Sequence, residues 1–160
     1  MEVKLEKVTI TNKEILYKLL QYSLYEGSMY IDNNIDDKGD FIYPWFDNYF
    51  TDNDRAAYII KNDNNILGMV MVNENLKFLK KGKCIAEMLI LPKYRRKHIA
   101  TKAVYQIFDE YKVSWEVQPM ENNQTAYAFW KNTIKNYTNG NYQIKNDSIE
   151  DVFIFESRLK

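Results

Sequence analysis

The sequence predicts an α/β (α+β) domain, because segments with strand character alternate with amphipathic helical segments along its 160 residues. Two β-rich runs, 55–61 and 66–72, flank a turn-rich Asn-Asp-Asn-Asn quartet, which is typical of an antiparallel hairpin. A third apolar run, 83–91, leads through Pro92 into a basic turn and then a helix. We therefore expect one domain, residues 1–160, with helices packed on a mixed sheet.

The N-terminal third predicts a strand, a helix and an acidic segment. Apolar residues at 3, 5, 8 and 10 indicate the strand, and Asn12 is expected to cap a helix that ends near Gly27. The apolar stripe of this helix includes Ile15 and Leu16, and Ser23 lies within it. Segment 32–54 then combines seven Asp with six aromatic residues. It is either a solvated loop that its aromatics pin to the core or an acceptor pocket for a cationic amine.

Charge and composition exclude several classes of function. Lys plus Arg and Asp plus Glu both number 22, so no net field attracts the chain to nucleic acid or to a membrane. A basic cluster at 93–102 could contact nucleic acid, but the neutral total and the acidic segment argue against this. With no transmembrane run and no signal segment, we expect a soluble cytoplasmic protein. The single Cys84 is expected to be a small buried residue in a strand.

The turn after Pro92 has the layout of an anion-binding site. A helix from about 97 to 111 follows the turn at once, with an apolar stripe that contains Ile99, Ala103 and Ile107. The first N–H groups of a helix have no partner within it, and its dipole favours negative charge there. Basic side chains at 95–97 add to this preference, so the turn is expected to bind phosphate.

A second motif follows after one further strand. Residues 113–118 alternate like a strand and end at Pro119, after which Asn123, Ala126, Phe129 and Trp130 begin a helix that runs to about 137. Runs at 142–144 and 151–156 predict two closing antiparallel strands.

The two motifs lie 23 residues apart. Together they resemble those of the GNAT superfamily of acetyl-CoA-dependent N-acetyltransferases, and the chain is similar to a small bacterial member of it. The run from Arg95 to Ala100 is similar to the pyrophosphate loop of that superfamily, with His98 where Gly is usual. We expect His98 to be tolerated because early helical positions have negative φ. The resemblance implies a mixed, mostly antiparallel sheet of six or seven strands with about four helices. Two central parallel strands, which end near Pro92 and Pro119, are expected to diverge and hold the cofactor.

The resemblance also implies the residues that bind acetyl-CoA. Backbone groups of the strand before the loop would hold the pantetheine arm, the loop and helix start would hold the pyrophosphate, and the second motif would pack near both. These positions are Met88, Leu89, Ile90, Arg95, Arg96, Lys97, His98, Ile99, Ala100, Thr101, Asn123, Phe129 and Trp130.

Two residues are candidates for proton transfer. Glu87 lies between apolar neighbours just before the implied acetyl site, and burial there would raise its pKa towards that of a useful base. It could instead be a sheet-edge carboxylate paired with a Lys, and water could carry the proton. Many superfamily members have an acidic Tyr where this chain has Trp130; Tyr127, one turn earlier, could replace it or simply pack in the core or on the surface.

We therefore expect an N-acetyltransferase that uses acetyl-CoA as cosubstrate and acetylates a primary amine, with a small cationic molecule as the favoured acceptor. No metal is expected, because the only histidine, His98, has no ligand-type residues at suitable spacing. A non-catalytic CoA-binding or regulatory module is the alternative. The chain could also form a homodimer.

Overall fold

The computed structural model describes residues 2–63 and 65–157, in which seven strands and three α-helices form the fold. The strands are β1 (Lys4–Lys7), β2 (Ala56–Asn62), β3 (Asn65–Asn73), β4 (Lys83–Ile90), β5 (Ser114–Val117), β6 (Gln143–Asn146) and β7 (Asp151–Glu156). The helices are α1 (Lys13–Gly27), α2 (Ile99–Glu110) and α3 (Gln124–Tyr137).

All seven strands belong to one sheet in the order β1-β2-β3-β4-β5-β7-β6. Its neighbouring strands pair antiparallel except β4 and β5, which are parallel. The predicted mixed, mostly antiparallel sheet with a central parallel pair is therefore confirmed. The described residues hold three α-helices instead of about four; short 3-10 turns at Ile10–Asn12, Asp47–Phe50 and Pro92–Tyr94 supply the other helical segments.

Helices cover both faces of the sheet. On one face, α2 and α3 bury Ile107, Phe108 and Ile134 against β3, β5 and β7. On the other, α1 buries Leu16 and Leu20. Five of the six aromatic residues of segment 32–54 join this second layer, where Phe46 and Tyr49 are buried, so they pin the segment to the core, while Trp45 is 56% exposed.

The N-terminal expectations need two corrections. Asn12 occupies the position before α1 but does not cap it with its side chain. Its Oδ1 instead accepts a hydrogen bond from the Thr9 backbone N–H at 2.7 Å, which turns the chain early. As a result the first strand stops at Lys7, and Ile10 is 68% exposed in a 3-10 turn. Ile15 is 40% exposed, at the edge of the predicted stripe.

Strand β4 carries a bulge where it passes α1. Met71 pairs with Glu87 and Val72 pairs with Ile85, so Ala86 is the extra residue. Ala86 packs in the α1-side core, and Glu87 approaches α1 as well. The bulge thus places two consecutive side chains on the same face.

Gly68 of β3 allows β4 to approach closely. A Cβ at this position would lie 1.9 Å from the carbonyl oxygen of Leu89 and 3.0 Å from Cα of Ile90. The sequence suggests either a bulge or a close backbone approach at Gly68, and the structure has both: Ile60 pairs with Gly68 and Lys61 with Ile66, so the extra residue Leu67 lies directly beside the close approach.

In residues 2–63 and 65–157, no helix combines the length and the apolar character needed to cross a membrane.

Candidate active site

A cleft opens where the parallel pair separates. The β4–β5 ladder consists of Lys83 opposite Trp115 and Cys84 opposite Glu116, after which pairing ends. The predicted divergence of the two strands is therefore present. Between them lies a cleft of about 430 Å³. Its walls are formed by Ser23, Ile31, Lys77, Ile85, Ala86, Glu87, Met88, Gln118, Pro119, Met120, Glu121, Asn123, Ala126, Trp130, Ile149 and Glu150.

This cleft connects the two faces of the sheet. Asn123, Ala126 and Trp130, at the start of α3, line it on one face. Ser23 of α1 and Glu87 line it on the other. Two molecules that approach from opposite faces can therefore meet beside β4.

Glu87 is the titratable group at the centre of this arrangement. Burial raises the pKa of Glu87 to about 7, and the Ser23 hydroxyl, 3.5 Å from its Oε2, acts in the opposite direction. Within the described residues Glu87 has no Lys partner, and β4 is a central strand. The alternative of a sheet-edge carboxylate paired with a Lys is therefore wrong. A carboxylate with a pKa near neutrality can hold or release a proton under physiological conditions.

Sequence reasoning misses the residues that surround Glu87. It places Ser23 in an apolar stripe; the signal is a lone hydroxyl among leucines, on the face that α1 turns towards β4. Tyr43, from the aromatic segment, also lies within the electrostatic range of Glu87. Burial raises the pKa of Tyr43 far above its usual range, and the charges of Tyr49 and Glu87 add to the effect. Tyr43 therefore keeps its proton at neutral pH.

Arg95 anchors the loop after β4. Its Nε donates to the Ile90 carbonyl oxygen at 2.7 Å, and its Nη2 donates to both carboxylate oxygens of Glu26 at 2.6 and 2.7 Å. The structure therefore places the Arg95 guanidinium on the end of α1, where it fixes the loop. Lys93, Arg96 and Lys97 carry the other positive charges of the loop, and all three are exposed.

The backbone of the loop differs from the sequence expectation. His98 has φ +57° and Arg96 has φ +58°, so the expected negative φ at His98 is wrong. His98 precedes α2, which begins at Ile99 and not at 97. Left-handed residues in a turn can direct successive backbone N–H groups towards one side. Such a concavity, next to a helix N-terminus, suits a phosphate group. The positive φ also gives the physical reason why glycine is usual at this position.

Replacing His98 with Gly should therefore stabilise the loop. We expect His98→Gly to bind acetyl-CoA as tightly as the original chain or up to about fivefold more tightly, because glycine adopts φ +57° at lower cost. Calorimetric titration measures this, with His98→Val as the matched control, since a β-branched residue strongly disfavours positive φ. Weaker binding by the Gly variant than by the original chain would mean that the imidazole itself contacts the ligand.

Asn123 and its neighbours lie where α3 begins. Asn123 caps α3, with its Oδ1 accepting from the Ala126 backbone N–H at 2.9 Å. Trp130 lines the cleft and stacks edge-on with Phe129 at 5.0 Å between ring centroids, while Phe129 packs on the core. Asn123 and Trp130 thus share the cleft with Glu87.

The side chain of Tyr127 makes its contacts with β7. Its hydroxyl donates to Asp151 Oδ2 at 2.8 Å, and its ring contacts Phe153. The hydrogen bond to Asp151 raises the pKa of Tyr127, and burial adds to the increase. The structure does not bring Tyr127 together with Glu87 in the cleft lining.

The residues at the end of β4 differ in whether their side chains face the cleft. Met88 lines the cleft, whereas the side chains of Leu89 and Ile90 are buried in the two cores, which leaves only their backbone for a ligand. Ile99 is buried, and Ala100 and Thr101 are half-buried at the start of α2. Residues 2–63 and 65–157 contain no cluster of three or more His, Cys, Asp or Glu that could hold a metal ion.

A sheet that splits at its parallel pair, with a basic loop and a helix N-terminus at the end of the strand that borders the split, suits an extended ligand that carries phosphate groups. Solved structures with this fold were found by comparison. An acetyltransferase from Thermus thermophilus has a TM-score of 0.72 and 12% identity, covering 98% of this chain and 97% of its own. An aminoglycoside acetyltransferase in complex with coenzyme A has a TM-score of 0.64 and 12% identity, covering 98% and 95%.

A spermidine N-acetyltransferase from Vibrio cholerae, in complex with CoA and spermine, has a TM-score of 0.62 and 11% identity, covering 97% of this chain and 95% of its own. No curated protein matches the chain. Residues 19–133 match the Acetyltransferase (GNAT) family, which is well over half of the sequence. The chain belongs to the GNAT family of acetyltransferases, as its two motifs predicted, and is an acyltransferase.

Proposed function

We propose that this chain transfers the acetyl group of acetyl-CoA to a primary amine of a small cationic molecule. The observation that carries the proposal is the Glu87 carboxylate, whose pKa is about 7, in a cleft that opens to both faces of the sheet. Two of the neighbours are named for aminoglycoside and spermidine, which agrees with an amine acceptor.

Proton removal is the step that the site has to assist. An ammonium ion cannot attack a carbonyl carbon, so the amine must lose a proton before or while its nitrogen bonds to that carbon and the C–S bond of the thioester breaks. Ionised Glu87 would take this proton, either directly or through one water. Ser23, which hydrogen bonds to Oε2, would keep the carboxylate directed into the cleft.

Groups around the split between β4 and β5 would bind and orient the two reactants. The loop backbone at 96–101 and the charges of Arg96 and Lys97 would hold the pyrophosphate of acetyl-CoA. The backbone of 88–90, where β4 no longer pairs with β5, would hold the pantetheine arm, with Asn123 and Trp130 on the other wall. Holding both reactants in contact supplies a large share of the rate enhancement in such reactions.

The departing thiolate needs a proton in turn. Tyr127 can supply it only by leaving Asp151, and the bond to that carboxylate makes the phenol a weaker acid. We propose that this proton comes from water or from the ammonium nitrogen of the tetrahedral intermediate, which must lose it to become the amide, and that Tyr127 has a secondary role at most.

A calorimetric titration with acetyl-CoA tests the donor site. We expect binding in the micromolar range, and we expect the double variant Arg96→Ala/Lys97→Ala to weaken it about tenfold or more, because two charges are lost next to the phosphates. The matched control is Lys80→Ala/Lys81→Ala, which removes two exposed charges at the turn before β4 and should leave binding unchanged.

The titration separates the possible functions. No binding by the original chain, or equal weakening by both double variants, would contradict the donor site. Binding without release of thiol in the presence of amines would favour the alternative function, a non-catalytic CoA-binding or regulatory module.

A further inference from the structure

The last turn of α1 contacts three elements that surround the cleft. Ser23 faces β4, where its Oγ lies 3.5 Å from Oε2 of Glu87. Glu26 faces the loop after β4. Gly27 faces the segment after β5, where Met120 Cε lies 3.0 Å from the point that a Cβ on Gly27 would occupy. One helical turn therefore touches both borders of the split and the loop at its end.

Charge-assisted hydrogen bonds make the contact between Glu26 and the loop. Arg95 Nη2 donates to both carboxylate oxygens of Glu26, at 2.6 and 2.7 Å, and Arg95 Nε donates to the Ile90 carbonyl oxygen at 2.7 Å. A single surface ion pair usually contributes little, but hydrogen bonds in two directions hold this guanidinium in one geometry. Arg95 therefore joins the end of α1 to the end of β4.

Glu26 and Ser23 move together, because they lie three residues apart in one helical turn. Residues at this spacing share a face of the helix, and the backbone hydrogen bonds of the helix fix their separation. A shift of Glu26 relative to β4 therefore changes the distance between the Ser23 hydroxyl and the Glu87 carboxylate.

Ser23 is the hydrogen-bond donor that acts on Glu87 within residues 2–63 and 65–157. Tyr43 is the titratable group that faces the carboxylate from the aromatic segment, and it keeps its proton at neutral pH. The charged side chains that line the same cleft are Lys77, Glu121 and Glu150. They do not shift the pKa of Glu87, which burial raises and Ser23 lowers. The position of Ser23 is therefore the means by which α1 acts on this carboxylate.

We infer that Glu26 is a positioning residue: through Arg95, it couples the loop after β4 to the Ser23 hydroxyl beside Glu87. This inference rests on the proposed function, in which the loop holds the pyrophosphate and Glu87 takes the proton. Glu26 does not line the cleft, so its effect on the reaction would be indirect. A donor bound to the loop would thereby help to orient the carboxylate on the opposite face of the sheet.

Carbon-13 NMR of the Glu87 carboxyl group, assigned by comparison with Glu87→Gln, tests the coupling without turnover. In Ser23→Ala the hydroxyl no longer opposes burial, so we expect the pKa of Glu87 to rise above about 7. Glu26→Gln should change the pKa in the same direction, and the double variant Ser23→Ala/Glu26→Gln should raise it no further than Ser23→Ala alone. The matched control is Glu14→Gln, which removes a charge paired with Lys18 at 3.3 Å on the same helix and should leave the pKa unchanged.

The kinetic effect should appear in kcat more than in donor binding. With butylamine as the acceptor, we expect Glu26→Gln to lower kcat about three- to tenfold, because Glu87 is less often held towards the cleft. The Kd of acetyl-CoA should change less than about threefold, because the charges at 96 and 97 and the bond from Arg95 to Ile90 remain. A weaker Kd with an unchanged kcat would mean that Glu26 only holds the loop in shape, and would overturn the inference.

The outcomes separate the inference from the proposed function. A matching rise of the Glu87 pKa in Ser23→Ala and Glu26→Gln would support the coupling even if no thiol were released, in which case the proposed function alone would fail. An unchanged pKa in Glu26→Gln, or shifts that add in the double variant, would overturn the inference while leaving amine acetylation intact. Tighter acetyl-CoA binding by Glu26→Gln would also overturn it, because Glu26 would then only neutralise an Arg95 that contacts the donor.

Discussion

Replacing Glu87 with Gln should lower kcat for amine acetylation by about 10²- to 10³-fold, because the amide cannot accept the proton of the acceptor. Affinity for acetyl-CoA should change less than twofold, since the implied donor contacts are backbone groups and the loop at 96–101. In the original chain, kcat/KM should rise with pH through about 7, where Glu87 loses its proton, and this rise should disappear in the variant. Initial rates of thiol release from pH 5.5 to 9 measure both effects.

The Glu87 carboxylate also makes the folding stability depend on pH. Its folded pKa of about 7 lies above the ordinary value of 4.5, so the folded state binds the proton more tightly, and stability falls as pH rises through this window. Glu87→Gln should therefore increase the free energy of unfolding by up to about 3 kcal/mol at pH 8 and by little at pH 4. An unchanged rate combined with this stability gain would mean that Glu87 is buried as described but that water removes the proton.

Replacing Gly68 with Ala should cost about 3 kcal/mol or more of folding free energy. The new Cβ would lie 1.9 Å from the Leu89 carbonyl oxygen, and since the atom it meets is backbone, β3 and β4 have to move apart. In a chain of this length such a loss lowers the melting temperature by about 6 to 12 °C. Thermal unfolding monitored by circular dichroism measures it.

Gly39→Ala is the matched control for this change. Gly39 has φ +84° and nothing within 4 Å of the added Cβ, so its cost of about 1–2 kcal/mol is conformational alone. A Gly68→Ala variant no less stable than the Gly39→Ala variant would show that β4 can shift without penalty. Because β4 borders the cleft, loss of acetyl-CoA affinity should accompany the loss of stability at Gly68 only.

The parts of the fold that are local in sequence could be predicted from it. The hairpin, the strand before Pro92 and the helix after Asn123 depend on periodicity and turn residues within a few positions, and each is present. The left-handed His98 could not be predicted, because a positive φ at a residue other than glycine is imposed by the surrounding loop. The missing Asn12 cap has a similar cause, since Thr9 competes for the same oxygen.

The strand and the loop of the candidate site could be predicted from the sequence, but the residues that surround Glu87 could not. Glu87 stood out because an acid among apolar neighbours is costly to bury unless it is paired or hydrated. Ser23 and Glu150 lie more than 60 residues away from it in the sequence on either side, and only the packing of α1 and the turn before β7 brings them to the cleft. The acids of segment 32–54, which in the sequence favour a cationic acceptor, do not line this cleft.

The two-pair ladder between β4 and β5 divides the sheet into a four-stranded and a three-stranded part that share little backbone hydrogen bonding. A ligand that fills the cleft would contact both parts of the sheet. Its binding free energy would therefore add to the free energy of unfolding. Under the proposed function, the resistance of the protein to heat or protease would therefore rise with the concentration of acetyl-CoA.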